Sequence, residues 1–444
     1  RVLLYAASWL GGQLGQTVKG GNYDGKDKNA LYTAAQADAE AVIGASDYAS
    51  LDNNYKHVWT MANESYNTNQ EALFCVTYSQ DIKTNVNCIP YRYRLEGGSP
   101  MQYNSLITRT GYTRGGNAML LMFVSMWNNG ANDLGGNGQK DTQVFWRIAA
   151  GKTTIKSKST GKNVECGAAY SPYGRGFTRY LPSLHLWNLL EKHKTTDQRS
   201  EATLLDHYDI ASPDLAKNSK NYPELQDMQA WAKNRYRIQF MAGGDIPVYT
   251  SMDEATAKPT EAAVKTSKVY GDDRYNLYKI AGWCSFPGIK KFLDDVYDPN
   301  YPTHDISSRD AIVMRIPEMY LIKAECQLAL GDGGAAMATI NQLRQARAIE
   351  GKDNTLSGNA TIDTILEERA VEFCGEQMRW FDLKRTGKLY EYVQKYNAQA
   401  ADNLKADVSK HYLYRPIPQN EIDAVQNFTT EVNSTTGFWQ NPGY

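Results

Sequence analysis

Apolar residues recur at helical spacing in the first 44 residues of the chain. Leu31, Ala35 and Ala39 share one face of a 3.6-residue period, and Gly44 stands where such a helix is expected to stop. A second apolar run occupies residues 3–10. Because small residues let two helices approach closely, this pattern predicts an Ala-rich helix pair.

The helical pattern returns from Ile316 onward. A first predicted helix ends at residues 331–334 (GDGG), since glycine tolerates the backbone of a helix end. A partner helix follows, and a third begins after a polar loop. The positions that define the three apolar faces are Ile316, Tyr320, Leu321, Ala324 and Leu328, then Ala336, Ile340, Leu343 and Arg347, then Ile362, Ile365, Leu366, Arg369 and Phe373.

Between these helical regions the pattern becomes irregular. Residues 71–78 (EALFCVTY) are rich in β-branched and aromatic residues and predict a short strand. Residues 84–180 and 205–310 carry Gly, Asn, Pro and aromatic residues without a period, which predicts two long loop-rich insertions. Loops on a rigid scaffold are where binding residues concentrate.

No linker composition divides the chain, so we expect residues 1–444 to form one body. Within it, residues 1–50 are a helix-pair scaffold and residues 311–444 a C-terminal helical region. No run of about 18 apolar residues predicts a membrane span. The sequence opens inside a helical pattern without an initiator Met or signal peptide, so we expect an N-terminal truncation.

The charge balance gives no general reason to expect nucleic acid as a partner, because 48 Lys and Arg residues face 49 Asp and Glu residues. Tyr (30) outnumbers Phe (11), with 9 Trp, and such rings suit wet interfaces and sugar faces. Helical proteins can also be rich in Tyr without any ligand, so composition alone leaves both interpretations open.

The six cysteines lie far apart and show no zinc-ligand spacing. Cys326 and Cys374 lie in apolar helical patterns and are predicted to be buried thiols, whereas pairing of Cys75 with Cys88 stays open. Asp133 and Asp141 flank a Gly-rich run but lack the order of a calcium loop. We expect no metal and no other cofactor.

The carboxylates of the C-terminal region alternate with arginines. Two carboxylates across a scissile bond would define a glycoside hydrolase, with one acid of raised pKa and one ionised partner. The repeated alternation instead favours Arg–carboxylate pairs that fasten one helical hairpin to the next. The residues concerned are Glu318, Glu325, Glu368, Glu372, Glu376 and Asp382, with Arg315, Arg344, Arg347, Arg369, Arg379 and Arg385.

The same region resembles the SusD/RagB family of outer-membrane nutrient-binding lipoproteins. The resemblance lies in the order and spacing of residues 314–325 (MRIPEMYLIKAE), 341–347 (NQLRQAR), 367–385 (EERAVEFCGEQMRWFDLKR), 414–418 (YRPIP) and 440–444 (QNPGY). It implies a mostly α, SusD-like fold of tetratricopeptide-like helix pairs, with loop-rich insertions and a few short strands. It also implies a lipid anchor at the extracellular face of the outer membrane and a TonB-dependent, SusC-like transporter as partner.

The resemblance leaves the ligand-binding residues open, and we look for them in the two insertions. There an aromatic ring can stack on a sugar, and neighbouring polar groups can hydrogen-bond hydroxyls. A loop-borne ring that only fastens its own loop is the alternative. The candidate ligand-binding residues are Trp127, Trp146, Tyr173, Trp231, Tyr249, Trp283, Asn128 and Arg175.

Four other tryptophans are predicted to serve packing. Trp9, Trp187 and Trp380 are expected in the core or between helices, and Trp439 is expected to hold the C-terminal tail. The sequence thus predicts a non-catalytic protein that binds an oligosaccharide or polysaccharide and delivers it to the transporter. Alternatives are a peptide-binding member of the same transport system, a glycoside hydrolase, and a helical-repeat adaptor for other proteins.

Overall fold

The structure is a computed structural model, and the fold is mostly helical with a few short strands. It describes residues 1–10, 27–65, 67–79, 123, 153–156, 163–166, 180, 182–205, 207–209, 237–239, 245–247, 266–269, 288–293, 307–397, 400–407, 411–431, 434, 436–441 and 444. The statements below concern these residues.

The described elements follow one another in chain order as two helices, a region of short helices and strands, and a long helical region. The helices are α1 (Val2–Leu10), α2 (Lys28–Gly44), α3 (Tyr55–Val58), α4 (Leu184–Lys192), α5 (Arg199–Thr203), α6 (Pro317–Ala329), α7 (Gly333–Ala346), α8 (Ile362–Glu372), α9 (Arg379–Arg385), α10 (Leu389–Tyr396), α11 (Ala401–Ala406) and α12 (Gln419–Ala424). The strands are β1 (Ala72–Val76), β2 (Thr153–Lys156), β3 (Asn163–Cys166), β4 (Leu204–Leu205), β5 (His207–Asp209), β6 (Arg237–Gln239), β7 (Asp245–Pro247), β8 (Thr266–Val269), β9 (Gly288–Ile289) and β10 (Ala311–Arg315). Short 3₁₀ turns lie at Met61–Asn63 and His411–Leu413.

The chain divides into two compact units. Unit 1 comprises Arg1–Ser46, Pro317–Leu343 and Thr355–Tyr444, and unit 2 comprises Asp47–Ile316 and Arg344–Asn354. The single body and the boundaries predicted from the sequence remain predictions.

Unit 1 is built on α2, which packs against both α1 and α6. Tyr32, Ala35 and Ala39 of α2 are buried, as is Ala7 of α1. These small residues permit the close approach that the sequence predicted. Helix α6 ends before Gly331, whose φ of +98° lies in the left-handed region that glycine adopts at little cost. The predicted helix pair and helix stop are therefore confirmed.

The C-terminal helices of unit 1 enclose a second cluster of buried residues, Leu366, Leu383, Leu389, Tyr390 and Tyr392. Helix α8 begins with a capping box in which the Thr361 hydroxyl accepts the Thr364 N–H and the Thr364 hydroxyl accepts the Thr361 N–H. The cap fixes where α8 starts.

Unit 2 contains the strand predicted at residues 71–78, which the structure shows as β1. Strands β1 and β10 pair antiparallel, from Ala72 opposite Arg315 to Val76 opposite Ala311, with two shifts of register. The other described strand pairs are β2–β3, β4–β9, β5–β6 and β7–β8. Most residues of the predicted insertions lie outside the described part of the chain.

Candidate functional site

The predicted ligand-binding residues cannot be placed, because all of them lie outside the described residues. Their role in binding therefore stays a prediction. The residues concerned are Trp127, Trp146, Tyr173, Trp231, Tyr249, Trp283, Asn128 and Arg175. Cys88 also lies outside the described part, so its pairing with Cys75 stays open.

An aromatic cluster in unit 2 brings rings from both predicted insertions together with Trp59. Phe123 belongs to the first insertion and Phe292 to the second, and their ring centroids are 4.8 Å apart. Phe292 in turn contacts the Trp59 ring edge to face at 5.4 Å, and Tyr180 stacks on Phe123 at 5.6 Å. We call Trp59, Phe123, Tyr180 and Phe292 the aromatic root.

Three members of the aromatic root, Trp59, Phe123 and Phe292, are buried. Aromatic pairs in these geometries contribute about 0.5–1.5 kcal/mol beyond the area they bury. The aromatic root therefore places Phe123 of the first insertion and Phe292 of the second side by side in the core of unit 2.

Cations surround the aromatic root. The Lys291 ammonium is 4.5 Å from the centre of the Trp59 ring and 5.2 Å from that of Phe292, and Lys291 is buried. The Arg315 guanidinium lies 5.3 Å from the Trp59 ring. Because aromatic faces attract cations, these contacts orient the indole ring.

A buried carboxylate, Glu71, binds Arg315 and a second arginine, Arg347. Its Oε2 accepts from Arg315 NH1 at 3.1 Å and from Arg347 NH2 at 3.0 Å, and its Oε1 lies 2.8 Å from Arg347 NH1. Oε1 also accepts the backbone N–H of Asp52 at 2.9 Å. Glu71 thus connects β1, β10 and the segment after α7.

A second ionic group of unit 2 is formed by Asp197, Arg199 and Asn354. Arg199 NH2 lies 2.6 Å from Asp197 Oδ2, and Asn354 Nδ2 donates to the same oxygen at 2.8 Å. Burial alone would raise the pKa of Asp197, but the charge and hydrogen bonds of Arg199 and the Asn354 bond outweigh it, so the pKa lies below its ordinary value.

Unit 1 has its own buried ionic cluster. Arg385 NH2 donates to Glu325 Oε2 at 2.8 Å and to Asp382 Oδ1 at 2.9 Å, while Arg369 Nε donates to Asp382 Oδ2 at 2.7 Å. Burial opposes ionisation of Asp382, but the two arginines outweigh it and hold its pKa below the ordinary value. The two arginines thus keep the Asp382 carboxylate ionised.

The predicted structural role of the C-terminal carboxylates is confirmed where contacts are seen. Glu325 and Asp382 pair with arginines as expected, and Glu318 pairs with Arg1. For Glu368, Glu372 and Glu376 the structural role stays a prediction. Arg315 and Arg347 also pair with a carboxylate, but their partner Glu71 was not among the expected residues. In the sequence, the only sign of a role for Glu71 is its position just before an apolar strand.

The packing roles of the tryptophans and cysteines are confirmed in part. Trp187 is buried, and so are Cys326 and Cys374. Trp380 was expected in the core or between helices, and at 37% exposed it does not lie in the core. The buried face of α9 is instead occupied by Asp382, Leu383 and Arg385, since two of them must reach their ionic partners. The side chain of Trp9 lies outside the described residues, and the tail-holding role of Trp439 stays a prediction.

The described ranges show neither a metal-binding cluster nor a membrane-spanning helix. No group of three His, Cys, Asp or Glu side chains there is arranged to hold a metal ion. No helix in the same ranges has the length and apolar character needed to cross a membrane.

A match to a known protein family shows which family the chain belongs to. The sequence model of the SusD family matches residues 142–444, about two thirds of the chain. The chain belongs to the SusD family. Among curated SusD-family relatives, SusD-like protein P38 of Formosa agariphila is 32% identical over 147 residues, 30% of this chain and 28% of that protein. SusD-like protein P2 of the same organism is 28% identical over 232 residues, 50% of this chain and 40% of that protein.

Solved structures show more distant similarity. Surface glycan-binding protein A from Bacteroides thetaiotaomicron, in complex with laminarihexaose, matches 90% of this chain and 58% of its own, with 18% identity and a TM-score of 0.41. Bacteroides fragilis NanU matches 100% of this chain and 62% of its own, with 16% identity and a TM-score of 0.46. This chain therefore spans less than two thirds of the relatives it matches, and these similarities do not assign it a ligand.

Proposed function

We propose that this SusD-family chain binds an oligosaccharide or polysaccharide without cleaving it and delivers it to a TonB-dependent outer-membrane transporter. The observation that carries the proposal is the family match over residues 142–444, which spans the whole second insertion and the whole C-terminal helical region. As the resemblance implies, we place the protein at the extracellular face of the outer membrane, held there by a lipid anchor.

The aromatic root supports a binding site in the insertions. Both insertions are rich in Trp, Tyr and Asn, and each contributes a ring to the same buried cluster. Anchoring both insertions at one point reduces the conformational freedom that ligand binding must remove, which favours affinity. We therefore retain the eight candidate residues as the glycan-binding set.

The ionic clusters support a role in binding rather than catalysis. A glycoside hydrolase needs a carboxylic acid of raised pKa opposite an ionised partner. Asp382 and Asp197 instead have lowered pKa values and hold arginines in place. Asp310 has a raised pKa because it is partly buried, but it accepts the Tyr78 N–H and serves to join the ends of β1 and β10.

The test is a binding panel of neutral and acidic oligosaccharides, including laminarihexaose, measured by calorimetry and tryptophan fluorescence. We expect saturable binding of one glycan class and its loss in at least one of Trp127→Ala, Trp231→Ala and Trp283→Ala. Trp380→Ala, which alters an exposed tryptophan of unit 1, is the matched control and should bind like the parent chain.

The outcomes separate the alternatives. Tight binding of peptides with no affinity for any glycan would show that the ligand is a peptide and would leave the transport role intact. Release of products from a polysaccharide, abolished by one carboxylate substitution, would establish the hydrolase instead.

A further inference from the structure

Helix α9 exposes aromatic rings and buries charges, the reverse of an ordinary surface helix. Trp380 is 37% and Phe381 54% exposed, whereas Asp382 and Arg385 are 1% and 2% exposed. Neighbouring large apolar side chains on a surface usually mark an interaction site, because burying them would otherwise stabilise the fold.

The buried ionic cluster of unit 1 enforces this orientation. Asp382 is bound by Arg369 from α8, and Arg385 is bound by Glu325 from α6. A rotation of α9 that buried its two rings would break both ion pairs and leave charges without partners, which costs several kcal/mol. The rings therefore stay on the surface whether or not a partner is bound.

Positive charge lies beside the exposed rings. The Arg415 guanidinium is 4.9 Å from the centre of the Trp380 ring, and Lys384 follows Trp380 by one helical turn. Arg415 forms no ion pair with any residue in the described ranges. Burial lowers the pKa of Lys384, and the neighbouring charge of Arg415 lowers it further, so positive charge is concentrated beside the Trp380 ring.

The C-terminal tail fixes the position of Arg415. Asn441 Nδ2 donates to the Arg415 carbonyl at 2.7 Å, and the Tyr444 hydroxyl donates to the Tyr414 carbonyl at 3.1 Å. The Gln440 side chain accepts the Ile417 N–H at 2.7 Å and donates to the Ile417 carbonyl at 3.0 Å. The charged side chain is thus presented from a backbone that is already ordered before binding.

We infer that Trp380, Phe381, Lys384 and Arg415, here called the α9 face, form a docking surface for an acidic protein partner. Trp and Arg are the residues that most often dominate protein–protein binding energy. Consecutive helical positions point about 100° apart, so the two rings do not form one flat platform for a sugar. Arg415 also already lies over the Trp380 ring.

The inference rests on the proposed function, because the transporter proposed there is the partner to be tested. A tagged full-length chain would be used to isolate the complex from solubilised outer membranes of the source cells. The transporter in that complex would be identified by mass spectrometry and purified. Its affinity for the chain would then be measured for Trp380→Ala, Phe381→Ala and Arg415→Glu.

We expect Trp380→Ala to weaken transporter binding about thirtyfold or more, as a hot-spot residue does. Arg415→Glu should slow association, and this effect should shrink as salt is added. The matched controls are Phe74→Ala and Lys352→Glu, an exposed aromatic residue and an exposed cation of unit 2, and both should bind like the parent chain. Unchanged glycan affinity in each variant shows that the chain remains folded.

Transporter affinities of the α9-face variants within twofold of the parent would overturn the inference and leave the proposed function intact. A parent chain that binds glycan but no transporter would overturn both the delivery role and the docking surface. Binding of tetragalacturonate that is lost in Trp380→Ala, with transporter binding unchanged, would reassign the α9 face to an anionic glycan.

Discussion

Single buried carboxylates hold distant segments of this chain together. Glu71 binds two arginines that follow it by 244 and 276 positions in the sequence, and it is fully buried. Removing one partner from such a pair leaves charges in a low-dielectric interior, and this is costly even where the intact pair contributes little net stability. These residues therefore select one arrangement of segments rather than simply adding stability.

Glu71→Gln should lower the free energy of unfolding by about 3–5 kcal/mol, because Arg315 and Arg347 would keep their charges and lose their counter-charge. Urea denaturation of both proteins measures the difference. Glu201→Gln, which removes an exposed ion pair with Lys56, is the control and should change stability by at most about 1 kcal/mol. Equal losses in the two variants would contradict the role given to Glu71.

Asp382 should make stability depend on acid pH. Its pKa is lower in the folded chain than the ordinary value of 3.8, so its contribution is complete above that value and is lost as the pH falls below it. The free energy of unfolding of the parent should therefore fall more steeply between about pH 5 and 2 than that of Asp382→Asn. Parallel pH profiles in urea titrations would refute this, and the exposed Asp423→Asn should behave like the parent.

At the scale of elements, periodicity predicted where helices lie better than how each is oriented. The spacing of Leu31, Ala35 and Ala39 located α2, and Ala35 and Ala39 lie on its buried face. Helix α9 was different, because hydrophobicity alone predicts that Trp380 faces inward. Its true orientation depends on the ionic partners Arg369 and Glu325, which come from other helices and carry no local signal.

The aromatic root makes a prediction about unit 2. Phe292→Ala should lower the free energy of unfolding by about 3–5 kcal/mol, since it removes a buried ring between Trp59 and Phe123. Phe74→Ala, at a residue that is 58% exposed, is the matched control and should change stability by no more than about 0.5 kcal/mol. Equal effects in urea denaturation would show that the aromatic root does not anchor the insertions.

At the scale of the whole molecule, the motifs of the C-terminal region were sufficient to predict the family. Residues 314–325, 341–347 and 367–385 combine apolar periodicity with buried ionic partners, so fold and sequence pattern constrain each other there. The ligand-binding residues carry no such constraint, because a ring in an irregular loop has no periodic or ionic signal. Composition could therefore suggest Trp127, Trp231 and Trp283 as ligand-binding residues without showing that they lie in one site.

The most direct test of the central claim is to incubate the purified chain with the glycan it binds and to follow binding and product release together. Calorimetry should show saturable binding, and chromatography should recover the glycan intact after prolonged incubation. Recovery of shortened glycan, lost when a single carboxylate is replaced, would contradict a non-catalytic binding role.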